Sequence, residues 1–202
     1  MSEPDLPGAD AKPLEGEQKE EWDKLTAAGA AISAALRSGD SAAVDQALDR
    51  LREAKIDSEA VLNALHIPSD AGALAGGIER ILRRIPDGWG RWISCASGWY
   101  PIIVRLDQQL AELAPDYEVH QVKEKYGHLE YYMSGPSAVF DQMDELVEAA
   151  RAEAARTCEV CGSSGQMCTS TGTMQGWYQT LCHSCAIETG YQALEPKEAE
   201  SS

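Results

Sequence analysis

The sequence predicts an α+β protein in three parts: an N-terminal helical bundle, a small β-α-β-β-α core and a C-terminal ribbon built on cysteines. Three observations predict it. Apolar residues recur at helical spacing through residues 18–85. Between 87 and 156, strand-like and helix-like runs alternate, separated by Gly and Pro. Last, Cys158-Glu159-Val160-Cys161 and Cys182-His183-Ser184-Cys185 make two C-x-x-C pairs with twenty residues between them.

Residues 1–17 are acidic and proline-containing with almost nothing to bury, so a disordered tail is expected there. A first helix follows from residue 18, with Trp22, Leu25, Ala28, Ile32, Ala35 and Leu36 on one face and Gly39 as its stop. Asp40 and Ser41 can cap a second, carrying Ala43, Val44, Ala47, Leu48 and Leu51. A third is expected from Asp57 or Ser58 to the residue before Pro68, and a fourth over 69–85, ended by Pro86. These four make a bundle at 18–86.

The core is expected at 87–156. It opens on a short strand over 91–96. Gly98-Trp99-Tyr100-Pro101 then starts a helix whose apolar face is Ile102, Ile103, Leu106, Leu110 and Leu113. A hairpin over 117–133 turns at Tyr126-Gly127-His128, and a last helix over 137–156 leads to Cys158. A ribbon module is assigned to 157–192 and a disordered tail to 193–202.

Two C-x-x-C turns can aim four thiolates at one tetrahedral Zn²⁺, and the Gly/Ser/Thr-rich spacer has too little apolar surface to fold without such a staple. One structural Zn²⁺ per chain is therefore expected on Cys158, Cys161, Cys182 and Cys185. Gly162 suits the tight turn after the first pair. Cys168 and His183 are the spare ligand types, the first read as an ordinary buried thiol. Cys95, remote in sequence, reads as a core thiol. A disulfide framework is disfavoured because nothing in the opening residues resembles a secretory segment.

Net charge is −16. Residues 1–79 carry −9, residues 80–125 carry +1 and residues 126–202 carry −8. Between Arg156 and Lys197 there is no Lys or Arg, so the cysteine module lacks the cations that phosphate recognition requires. No apolar run approaches the ~20 residues that span a bilayer. A cytoplasmic protein with no membrane partner is expected.

Trp92-Ile93, Gly98-Trp99-Tyr100-Pro101-Ile102-Ile103 and the run from Gln121 through Lys123-Glu124-Lys125-Tyr126-Gly127-His128 to Tyr132 occur with the ending Leu181-Cys182-His183-Ser184-Cys185-Ala186. Together they resemble a family of small uncharacterised bacterial and bacteriophage proteins over roughly 88–187. The resemblance implies a phage or mobile-element setting, in the host cytoplasm, and brings no activity with it. Glu130 stands where an Arg is expected in relatives. An anion contact made by that Arg would be absent here.

Two further groups are candidates for function. Arg80, Arg83, Arg84 and Arg91 interleave with Trp89, Trp92, Trp99 and Tyr100, and Lys123 and Lys125 share one face of the expected hairpin. The plain structural alternative makes Trp92 and Trp99 core anchors and pairs the arginines with acidic helices. Glu124 with His128 or Tyr131 could form an acid/base set, although no second carboxylate completes it. The expected function is a non-enzymatic, zinc-binding interaction or regulatory protein presenting an acidic surface to a protein partner. The alternatives are a nucleic-acid binder using the Arg/Trp cluster at 80–99 and an enzyme centred on Glu124 and His128.

Overall fold

A computed structural model describes residues 6–53, 55–171 and 176–194. Helices α1 (Gly16–Ser38) and α2 (Ser41–Glu53) pack on each other through the small side chains Ala28, Ala35 and Ala47. Gly39, at φ 74, ends α1, and the Asp40 carboxylate accepts the Ala43 N–H at 3.0 Å to start α2. Helix α3 (Ser58–Asn63) is capped by the Asp57 side chain, which accepts from the N–H groups of Glu59 and Ala60. It ends five residues before Pro68 because its following N–H groups are claimed elsewhere. Leu65 N–H bonds to the Lys12 carbonyl and His66 N–H to the Arg91 carbonyl, both at 3.0 Å. Helix α4 (Ala75–Arg83) starts later than its periodicity suggests, after a 3₁₀ turn that opens on Gly72 at φ 52.

The central sheet has the order β1-β2-β3: β1 (Ile93–Ser94), β2 (Glu118–Lys125) and β3 (His128–Ser134). Strand β1 runs parallel to β2, as the crossover through α5 (Tyr100–Leu113) requires, and β2 and β3 form an antiparallel hairpin. The hairpin turns on Tyr126 and Gly127, both with positive φ (54° and 80°), the signature of a type I′ turn. Helix α6 (Phe140–Ala154) packs on α5 and β3. The cysteine module is a second sheet of order β5-β4-β6, made of β4 (Gln166–Ser170), β5 (Tyr178–Leu181) and β6 (Tyr191–Ala193), with the short helix α7 (His183–Thr189) between β5 and β6.

One hydrophobic core gathers Ile78, Ile81 and Leu82 of α4 with Ile103, Leu106 and Leu110 of α5 and Val119 and Val122 of β2. The apolar stripe of α4 lies in the same core as α5 and β2, across the boundary expected at residue 86, and the α1–α2 hairpin meets His66 and Trp92 through Trp22. Within this core lies a charged network. The Arg84 guanidinium donates to Asp107 at 2.7 Å and to the Pro115 carbonyl at 2.7 Å, and it lies 4.2 Å from the centre of the Tyr117 ring. Tyr117 Oη also donates to Asp107, at 2.7 Å, and meets Tyr131 Oη at 2.8 Å. Burial pushes both tyrosine hydroxyls above their ordinary range, so each remains a donor.

The disordered tail expected at 1–17 is corrected for residues 6–15. They form a strap across the C-terminal end of α4. Arg83 Nη1 donates to the carbonyls of Gly8, Ala9 and Ala11 at 2.9, 2.6 and 3.2 Å, while Gly8 N–H returns a bond to the Arg83 carbonyl at 2.8 Å. Few apolar side chains are needed, because backbone carbonyls around one guanidinium supply the attachment. The disorder expected for residues 1–5 and 195–202 lies outside the described residues. No helix among the described residues is long and apolar enough to cross a membrane.

Two stability changes follow. Asp107→Ala strands the buried Arg84 charge and should lower the unfolding free energy by about 3–5 kcal/mol in urea denaturation. Deleting residues 1–12 releases the carbonyls held by Arg83 and should cost about 1–3 kcal/mol, read as a lower melting temperature. An unchanged melting curve would show that the strap contributes nothing.

Candidate metal centre

The first knuckle is shaped by its backbone. Cys158 N–H bonds to the Ser163 carbonyl at 2.7 Å and Gly162 N–H to the Cys158 carbonyl at 2.9 Å, closing a turn that Gly162 completes at φ 75. The second knuckle is the start of α7. Cys182 is its N-cap residue, and its Sγ accepts from the Cys185 N–H at 3.5 Å. Antiparallel pairing of β4 with β5 brings the knuckles together.

The Sγ atoms of Cys158, Cys161, Cys182 and Cys185 all lie within 4.8 Å of one another, with Cys161 and Cys182 at 3.6 Å. Metal–sulfur bonds of ~2.3 Å in a tetrahedron put sulfurs ~3.8 Å apart, so the cluster fits one four-coordinate ion. Its electrostatics agree. The Ser163 hydroxyl and N–H draw Cys161 down to about 6, whereas the neighbouring Cys182 sulfur and burial push Cys185 up. Four sulfurs this close cannot all ionise without a cation among them.

The spare ligands fall away. Cys168 is buried beside the cluster with Sγ 3.4 Å from the Gln166 carbonyl, and His183 is exposed on α7 outside it. Cys95 packs against the central core, where burial pushes its thiol up.

The module is docked on the central layer at two points, and both involve glycine. Gly98, ahead of α5, donates its N–H to the Glu159 carbonyl at 2.7 Å, and a Cβ placed there would lie 2.2 Å from the Cys158 carbonyl oxygen and 2.6 Å from the Gly162 nitrogen. Only glycine admits this approach of two backbones. Trp99, fully buried, donates from Nε1 to the Thr157 carbonyl at 2.8 Å. At the second point the Thr180 hydroxyl donates to the Gly127 carbonyl at 2.8 Å, and Met167 covers the hairpin turn so closely that a Cβ on Gly127 would meet its sulfur at 2.4 Å.

Glu159, inside the first C-x-x-C, has a role that the motif alone does not reveal. It is buried, and its carboxylate accepts the Ala96 N–H at 3.0 Å and faces Gln179 Nε2 at 3.4 Å. Burial raises its pKa to about 7 against the opposing Ala96 bond, and nearby Glu124 adds to the rise. The available signal was an acid placed between two ligands in a turn that must lie against something.

The other candidate residues are scattered. Arg84 and Arg91 are buried, Arg91 bonding to the carbonyls of Ile85 and Asn63 at 3.0 and 2.5 Å and to Asp87 at 2.6 Å. Arg83 holds the strap and Glu79, and Arg80 is half-exposed beside Asp107 at 3.8 Å. The four therefore do not form a basic patch. Trp99 is a core anchor as expected, but Trp92 is only half-buried and Trp89 is exposed. Lys123 and Lys125 do share a sheet face, each near a tyrosine ring (Tyr132 at 5.7 Å and Tyr126 at 5.8 Å). Glu130 opposes Lys123 in the register and is ion-paired with Arg151 of α6, not with Lys125. Glu124 pairs in register with Leu129, and His128 with Lys125, so the two lie on alternate faces. Glu124 instead accepts the Gly127 N–H and stabilises the hairpin turn.

Purified protein should carry one metal ion per chain, measured by elemental analysis, and a Cys161→Ser/Cys182→Ser double variant should carry none. Gly98→Ala should retain the metal yet lose stability, by about 1–3 kcal/mol or more, because two backbones must separate. Metal loss in Gly98→Ala equal to that in the cysteine variant would show that the docking contact is part of the ligand geometry.

Compared with known proteins, the chain matches no family model, no curated protein and no solved structure. Of the family resemblance drawn from motifs, the four-cysteine cluster is the part carried by the geometry.

Proposed function

We propose that the chain is a non-enzymatic zinc-binding interaction protein, whose metal holds the C-terminal module in shape to receive a protein partner. Four thiolates without an open coordination position suit a structural Zn²⁺, since a catalytic zinc keeps one position for water or substrate. The observation that carries the reading is the surface of the module. Trp177 is 59% exposed and Ile187 65% exposed, Tyr178 and Leu194 are also exposed, and no Lys or Arg stands between Arg156 and Lys197. Exposed apolar side chains on a metal-ordered scaffold favour protein contact. The chain's net charge of −16 favours a partner that is basic around its apolar contact. The exposure of Trp177 leaves its ring available to a partner rather than to the core of the module.

A nucleic-acid role is the weaker reading, because Arg84 and Arg91 are committed inside the protein. Crosslinking and mass spectrometry with the full chain test the proposal. A partner captured by the native protein should be lost both on chelation and in Trp177→Ala/Ile187→Ser, with the melting temperature of that variant unchanged. Capture indifferent to both changes, or retention of the chain on DNA at physiological salt, would overturn it.

A further inference from the structure

A cleft of about 790 Å³ lies between α1, the end of the strap and the 65–70 loop, on residues that the metal module does not touch. Its walls carry aromatic side chains. Trp22 of α1 and His66 lie tilted against each other with 4.4 Å between ring centres, and Trp92 packs against both at 5.8 and 5.7 Å. Leu65, Ile93 and Tyr100 are among the other residues that line it. From these elements we propose that the cleft is a binding site for a small alkylammonium ion, held by the aromatic faces and by the carboxylate of Asp70.

Charge accounts for the choice of ligand. Asp70 stands at the mouth of the cleft, exposed, and accepts only the Tyr100 hydroxyl, at 3.2 Å; it has no ion pair among the described residues. The one cation on the lining, Lys19, is bound to Asp23 at 2.6 Å. The lining therefore keeps one unneutralised negative charge. His66 does not cancel it. Its Nε2 lies 2.7 Å from the Val61 carbonyl, so a neutral ring donates there and keeps its other nitrogen as an acceptor, and burial favours that neutral form. Tryptophan faces attract a cation through the ring quadrupole, most strongly where water is partly excluded. An anion would meet the same faces and the same carboxylate with the opposite sign. A net charge of −16 raises the local concentration of small cations around the whole chain. Aromatic walls, one free carboxylate and a cleft of ligand size together meet the requirements of such a site.

The test uses the full, zinc-loaded chain and two probes of equal shape: choline, and its uncharged isostere 3,3-dimethyl-1-butanol. Calorimetry should give saturable, one-to-one choline binding at least about tenfold tighter than that of the isostere. Asp70→Asn keeps the shape and the acceptor for Tyr100 while removing the charge, and should abolish that preference without changing the melting temperature. Trp22→Leu keeps an apolar wall without a π-face, and should weaken choline more than the isostere. Equal binding of the two probes by the native chain, no saturation with choline up to ~10 mM, or a full preference retained in Asp70→Asn would each overturn the proposal.

Discussion

The approach of the first cysteine knuckle to the start of α5 is the contact on which the rest of the structure depends. At Gly98 two main chains lie closer than any side chain permits, and the Glu159 carbonyl, the Glu159 carboxylate and the Thr157 carbonyl accept from Gly98, Ala96 and Trp99 in turn. Three of the four residues before α5 are thus bonded to the knuckle and its approach, two through backbone carbonyls and one through the Glu159 carboxylate. Trp99 carries that contact inward, since its ring is fully buried in the core that α4, α5 and β2 build. The metal-binding turn and the hydrophobic core are joined through one indole.

The same join explains why the module does not stand alone. Its own core consists of Cys158, Cys168, Leu181, Cys185 and Ala186, with Cys182 and Tyr191 against it. That is too little apolar burial to offset the ordering of some thirty-five residues, at ~1–2 kcal/mol of backbone entropy each. A metal held by the four cysteines would supply one part of the difference. Docking on Gly98 and on the Tyr126-Gly127 turn supplies another, and Glu159 converts what would be an unsatisfied Ala96 N–H into a bond across the joint.

Much of this was legible in the sequence, and the reasons differ from element to element. The cysteine spacing pointed to the four-cysteine cluster because ligand chemistry acts through a few residues at fixed separation. Gly39, Asp57 and Pro101 marked helix ends because caps are local. The hairpin was visible through Tyr126-Gly127. What stayed hidden depended on partners distant in the chain. Residues 6–15 looked structureless because their attachment is made by backbone carbonyls, which every sequence has, to a guanidinium some seventy-five positions away. The arginines at 80–91 looked like a patch because spacing gives helical neighbours but not depth. Arg84 and Arg91 point inward to acceptors at Asp107, Pro115 and Asn63, which no local pattern links to them.

That inward turn of the arginines bears on the whole electrostatic character of the chain. Charged groups inside a core are tolerated only where acceptors surround them, and Arg84 and Arg91 each have at least three. Arg83 is spent on the strap, Arg105 on Glu153 and Arg151 on Glu130 and Glu148. The cations that a count of residues sets against the acids are thus largely withdrawn from the surface field or already matched. Each of these pairs takes an acid out of the surface field together with its arginine, so the field at a distance still follows the net charge of −16. Lys123 and Lys125, on the open face of the hairpin, stand out against it as a local exception beside Tyr126 and Tyr132. A basic protein or a small cation would therefore be drawn to the acidic surface rather than to that face.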